Sequence, residues 1–114
     1  MQIPSLTAER RAEALQRALL LRRARASLLQ DIARNRASLE EVLERKDEVA
    51  GRIRVRRVLE AFHGIGKVRS SALLAELRIA ESRRIRGLGP HQRRRLIDAL
   101  RPFMPATEEE SPLS

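Results

Sequence analysis

At 114 residues, with Phe62 and Phe103 as its only aromatics, the chain has material for one small domain with a thin aliphatic core and no deep cleft between lobes. Its 24 Lys plus Arg against 15 Asp plus Glu leave +9, which points to a polyanionic partner such as nucleic acid or an acidic membrane. The absence of cysteine excludes disulfides and a thiolate zinc site and fits a reducing cytoplasm; the apolar run "ALLL" at 18 to 21 is far too short to span a membrane.

From Thr7 to about Arg34 there is neither glycine nor proline, and Thr7 as N-cap with Glu9 in the first turn predicts one long helix of about 40 Å. Leu15, Ala18, Leu19, Ala26 and Leu29 recur along it at helical spacing, and Arg22, Arg23 and Arg25 cluster at its middle. "SLEE" predicts a capping box, Ser38 with Glu41, that opens a short second helix running to about Arg45 and ended by "KDEVAG". A third helix is expected from about Ile53 to Phe62, packing through Val55, Val58, Leu59 and Phe62. A fourth is expected from Lys67 to Leu77, with Val68, Ala72, Leu73 and Ala75 available for burial. Pro90 at the first helical position opens a fifth, closed at Pro102. No segment alternates as a strand would and no repeat is visible, so the class is all-α: a long N-terminal helix plus a module of about four helices.

Charge divides the chain unevenly. Residues 1 to 50 carry ten basic and eight acidic side chains, residues 51 to 101 carry fourteen and four, and the stretch from 102 onward carries only Glu108, Glu109 and Glu110. The expected organisation follows: 1–50 the long helix and a short capped one, 51–101 a basic module, 102–114 an acidic, flexible, solvated tail. All five glycines lie at 51 or beyond. In "HGIGKVRSSALLAEL", Gly64 and Gly66 bracket Ile65 just before a helix start, which lets the backbone take positive φ at both glycines and another surface approach closely, while the helix directs unpaired N–H groups and its positive dipole end outward. That is a seat for phosphate, with Lys67 and Arg69 as adjoining cations. A second glycine pair in "RRIRGLGP", behind Arg83, Arg84 and Arg86, precedes another helix start. Other constellations carry little: His63 and His91 lack carboxylates at ligand spacing, and Ser70 and Ser71 have no local base and read as helix-surface or near-phosphate hydroxyls. Neither a metal, a cofactor nor a small-molecule substrate is expected.

The segment "LEAFHGIGKVRSSALLAELRIAESRRIRGLG" resembles the helix-two-turn-helix segment of the actinobacterial integration host factors. "GRIRVRRVLEAF", "LLLRRARASL" and "QRRRLIDAL" extend the likeness to roughly residues 5 to 101. It departs from the family pattern at His63, in the leucine-rich first helix and in the acidic tail. The resemblance implies a helical, nucleoid-associated protein of the cytoplasm, monomeric in solution, that grips double-stranded DNA through its backbone and bends or organises it. Its DNA-contacting turn falls on Gly64, Ile65, Gly66, Lys67 and Arg69, and its second basic segment on Arg83, Arg84, Arg86 and Gly87, with Arg54 in the lead into the third helix. Arg22, Arg23 and Arg25 are either an exposed helix face or a second DNA contact. The same helix unit occurs in a small-subunit ribosomal protein and in formamidopyrimidine-type DNA glycosylases. The latter need an N-terminal proline amine and usually a cysteine zinc finger, whereas this sequence reads Met1, Gln2, Ile3 and has no cysteine, so a non-enzyme is expected. A structured-RNA binder, or a helical protein–protein interaction module, is the alternative.

Overall fold

The computed structural model describes residues 7 to 105, and these form six α-helices and two 3₁₀ turns. Helix α1 (Ala8–Ala33) is capped by the Thr7 hydroxyl, which accepts from the Arg10 N–H at 3.1 Å. Helix α2 (Leu39–Glu44) starts where the Ser38 hydroxyl accepts from the Glu41 N–H and donates to the Glu41 carboxylate. Helix α3 (Glu48–Gly51) follows within "KDEVAG", a stretch expected only to end α2. Its cap is Asp47, whose carboxylate accepts from the Ala50 N–H and is also bound by Arg45 at 2.7 and 2.9 Å. That guanidinium bond is the main reason the Asp47 carboxyl is lowered to about 2. Helix α4 (Val55–Glu60) is shorter than expected at both ends, and α5 (Lys67–Leu77) and α6 (Pro90–Leu100) begin and end where the glycine and proline signals place them.

One core joins all six helices, from Leu28 and Ile32 of α1 through Val42, Val58, Leu59 and Leu74 to Leu96 and Leu100. The apolar face expected of α4 is the one buried, Val55, Val58, Leu59 and Phe62. Two faces differ from expectation. In α1 the buried side chains are Leu28 and Ile32, and Leu15 and Leu19 are 67% and 43% exposed, because the core reaches only the C-terminal part of the helix. In α5 the inward residues are Ser70, Leu74 and Leu77, with Leu73 half-buried, while Val68 is 86% exposed. Ser70 can be fully buried because its hydroxyl is satisfied: it lies 2.9 Å from the Lys67 carbonyl, to which it donates, and 3.2 Å from a Glu60 carboxylate oxygen. Helix α5 ends on Arg78 in left-handed conformation (φ 57°), a position that usually selects glycine.

The chain does not leave the body at Pro102. Arg101–Phe103 forms a 3₁₀ turn, and Phe103 and Met104 pack against the core because they are apolar and directly continue α6. The glutamate triplet expected to be a solvated tail lies outside the described residues.

Candidate nucleic-acid interface

Helix α4 separates two groups of basic residues. Beyond its C-terminal end, Phe62 and Ile65 are buried and pin a turn whose Gly64 adopts φ +91°, a conformation that a side chain would strain. Gly66, expected to need glycine for the same reason, instead has φ −96° and ψ −167°, ordinary extended backbone with open space around its Cα. It leaves open space at the start of α5. No side chain caps that helix, and its first α-helical bond outside the helix body is Ser70 N–H to the Gly66 carbonyl. The N–H groups of Lys67, Val68 and Arg69 therefore face outward at the positive end of an eleven-residue helix. The Ile65 side chain is turned into the core and anchors the turn.

Before the start of α4 a long-range pairing has formed. The Val55 N–H donates to the Arg83 carbonyl and the Ile85 N–H to the Ile53 carbonyl, each at 2.9 Å, so that Arg54 and Arg84 face each other in an isolated antiparallel bridge. Neither residue of that pair exchanges the bonds, which is the geometry that brings opposed side chains closest, about 4.5 Å between Cα atoms. Two like charges set opposite one another are destabilising unless an anion joins them. Arg83 is not free in the same way: half-buried, it donates from Nη1 to the Gly87 carbonyl at 2.9 Å. A Cβ on Gly87 would sit 3.1 Å from the Arg83 Cδ, so this glycine makes room for the brace. Arg86 is exposed on the same turn.

Arg54 also belongs to a groove of about 280 Å³ between α1 and α4, lined by Arg22, Arg25, Arg52 and Arg57 over a floor of Ala26, Leu29 and Ile53. The middle of the first helix and the approach to α4 are thus one basic surface, although 29 residues separate Arg25 from Arg54. Arg23 is exposed on α1 but does not line the groove. Arg52 and Arg57 were not among the expected site residues; the arginines at alternate positions 52, 54 and 56 of "GRIRVRR" were a signal for Arg52 but not for Arg57.

Ion pairs among the described residues sit elsewhere or at the margin: Arg17 with Glu48, Arg45 with Asp47, Arg52 with Glu48, Arg56 and Arg57 with Glu60, Arg101 with Asp98. Arg22, Arg23, Arg25, Arg54, Lys67, Arg69, Arg83, Arg84 and Arg86 have no carboxylate within 4 Å among those residues. Arg69 instead stands 5.5 Å from the centre of the Phe103 ring. No group of three or more His, Asp or Glu among the described residues could hold a metal ion. No described helix is long and apolar enough to cross a membrane.

The family profile described as "S13-like H2TH domain" matches residues 32–100. Over 100 residues the chain is 44% identical to the integration host factor of Mycobacterium tuberculosis, covering 86% of this chain and 95% of that one. The chain belongs to the actinobacterial integration host factor family. The Streptomyces coelicolor integration host factor is 43% identical over 94 residues, covering 81% of this chain and 88% of its own. A solved structure described as "Structure of sIHF bound to an 8bp palindromic DNA" superposes with a TM-score of 0.70 at 36% identity, covering 78% of this chain and 99% of that one. The all-α class and the long first helix expected from the sequence are those of this integration host factor fold.

Proposed function

We propose that this chain is a nucleoid-associated, non-catalytic protein that binds double-stranded DNA as a monomer by clamping phosphates, with little dependence on sequence, and that bends or organises the duplex. The observation that carries the reading is the Arg54–Arg84 pair: two arginines with no carboxylate within 4 Å among the described residues are set opposite each other by backbone hydrogen bonds between segments 30 residues apart. Folding sets these two cationic residues opposite each other, and a phosphate engaging both would offset their repulsion. The relatives named integration host factor and the DNA-bound structural neighbour support the same partner.

The contacts we assign are the Gly64–Lys67 turn with Arg69, and Arg54 with Arg84 and Arg86. In this reading Gly66 gives access, Lys67, Arg69, Arg54, Arg84 and Arg86 supply charge, and Gly64, Ile65, Arg83 and Gly87 hold the two turns in shape. Arg22 and Arg25, across the groove from Arg54, extend the track onto α1, where Arg23 adds charge. The domain division we favour sets a basic module from residue 51 onward against a long helix that widens its reach. No element presents a row of base-reading side chains to a major groove, and no exposed aromatic on the described surface could stack on splayed bases, so sequence preference would come from DNA shape.

A gel-shift competition tests the partner. Labelled duplex should be displaced equally by unrelated duplexes and poorly by a structured RNA of equal phosphate count. Preferential displacement by the RNA would replace this reading with the ribosomal-type one.

A further inference from the structure

The groove between α1 and α4 gathers more positive charge than a passing strand of DNA would neutralise. Five arginines, Arg22, Arg25, Arg52, Arg54 and Arg57, line a space of about 280 Å³. A space of that volume is about 8 Å across, within one Debye length at physiological salt, so these charges are poorly screened from one another. Carboxylates offset little of the charge. Arg52 and Arg57 stand 3.9 Å from Glu48 and Glu60, and those glutamates are nearer to Arg17 (3.0 Å) and Arg56 (3.6 Å), which lie outside the groove. Arg22, Arg25 and Arg54 have no carboxylate within 4 Å among the described residues. The floor beneath them is apolar, with exposed Ala26 and half-buried Leu29 over buried Ile53. A duplex phosphate gains nothing from such a floor.

Charge density selects the occupant. One strand of B-form DNA offers a charge every ~3.4 Å along its axis, hence about two across the groove. A nucleoside di- or triphosphate brings about three or four into the same space, because its terminal phosphate carries close to two and each inner phosphate one. Its base is flat and apolar on both faces, which suits a guanidinium plane on one side and an aliphatic floor on the other. We propose that the α1–α4 groove is a binding site for a nucleoside di- or triphosphate, with the phosphates on the arginines and the base against Ala26 and Leu29. The molecule is held and not transformed, since the lining side chains include neither a nucleophile nor a general base. Occupancy would withdraw Arg22, Arg25 and Arg54 from the DNA track, but the site itself needs no DNA, so the two readings fail separately.

The test titrates the full chain, free of DNA, with ATP, AMP and inorganic tripolyphosphate by isothermal titration calorimetry at about 50 mM salt. ATP should bind at one site per chain and at least about tenfold more tightly than AMP, which lacks two phosphates and the charge-assisted bonds they accept. It should also bind at least about fivefold more tightly than tripolyphosphate, whose charge is no smaller but which has no base to stack. R25Q/R52Q should weaken ATP binding by at least about tenfold, and R94Q/R95Q, which removes the same charge from α6, by less than about threefold. Ala26→Glu changes an exposed helix position to another good helix former, sets a carboxylate on the floor and should abolish binding, whatever the arginine pair does to folding. In NMR spectra the amides of Ala26, Leu29 and Ile53 should shift with ATP, and those of Lys67 and Arg69 should not. Equal affinity for ATP and tripolyphosphate, equal losses in the two arginine pairs, or shifts centred on the α5 start would mean diffuse attraction of polyanions to the basic surface and would overturn the proposal. ATP binding that Ala26→Glu leaves unchanged, or no ATP binding up to about 1 mM, would overturn it as well.

Discussion

The two glycines of the α4–α5 turn have separable functions, and single substitutions should split stability from binding. At Gly64, φ is +91° and an added Cβ meets nothing within 4 Å, so Gly64→Ala has no clash and only a backbone cost. A non-glycine residue held at left-handed φ loses about 1–2 kcal/mol, and the reduced freedom of the unfolded chain returns about 0.4–1 kcal/mol. The net is a destabilisation of about 1 kcal/mol, or a fall in Tm of about 4–8 °C for a domain of this size. At Gly66 the backbone is extended and open, so Gly66→Val should leave Tm within about 3 °C, a change of under about 0.5 kcal/mol. Its side chain, however, stands where a phosphate would approach the Lys67 and Val68 N–H groups. Losing one hydrogen bond to a charged group is worth about 1.5 kcal/mol or more, which corresponds to at least a tenfold weaker Kd. Thermal melts followed by circular dichroism and duplex titrations by anisotropy measure the two axes. The reasoning is refuted if Gly66→Val unfolds earlier than Gly64→Ala, or if Gly66→Val binds duplex as well as the native chain.

Lys67→Ala should weaken binding to unrelated duplexes alike and make the salt slope shallower by about one unit, with no change in Tm; a sequence-dependent loss would contradict it. Arg22→Glu, Arg23→Glu and Arg25→Glu together should spare short-duplex affinity while reducing contour shortening of long DNA imaged by microscopy. A proportional loss of both would make the α1 groove part of one continuous site, and a loss of neither would make α1 a brace. Asp47→Ala removes both the α3 cap and the bond to Arg45, and should lower stability by about 1–2 kcal/mol by chemical denaturation. Because the Asp47 carboxyl is lowered to about 2 by that bond, its contribution is complete above about pH 4 and is lost as pH falls through about 2; a native-minus-Ala difference in stability that persists unchanged at pH 2 would contradict this.

Much of the fold was legible because local signals and tertiary packing agree. Thr7, Ser38 and Pro90 mark helix starts by their own capping chemistry, and α4 buries the one face on which Val55, Val58, Leu59 and Phe62 fall together. Legibility failed where partners distant in sequence decide. Leu15 and Leu19 form as good an apolar stripe as Leu28 and Ile32, but only the latter meet the other helices. Ser70 displaces Val68 from the core because Lys67 and Glu60 satisfy its hydroxyl, which hydrophobicity alone does not foresee. Asp47 caps a helix inside a stretch that reads as a terminator, since buried Gly51 serves packing rather than an ending. The glycine turn of the candidate site could be read locally, whereas the Arg54–Arg84 pairing and the groove joining Arg54 to Arg22 and Arg25 required the backbone bonds between Ile53–Val55 and Arg83–Ile85.

The central claim is that unpaired cations at the α5 start and around the Arg54–Arg84 bridge neutralise DNA phosphates without reading bases. The most direct measurement is affinity for one short duplex, and for an unrelated duplex of the same length, as a function of salt. Engagement of Lys67, Arg69, Arg54, Arg84 and Arg86 neutralises about five phosphates, so log affinity should fall linearly with log salt with a slope of roughly −4 to −5 for both duplexes. A slope near zero, or tight binding at high salt confined to one of the two sequences, would contradict the account.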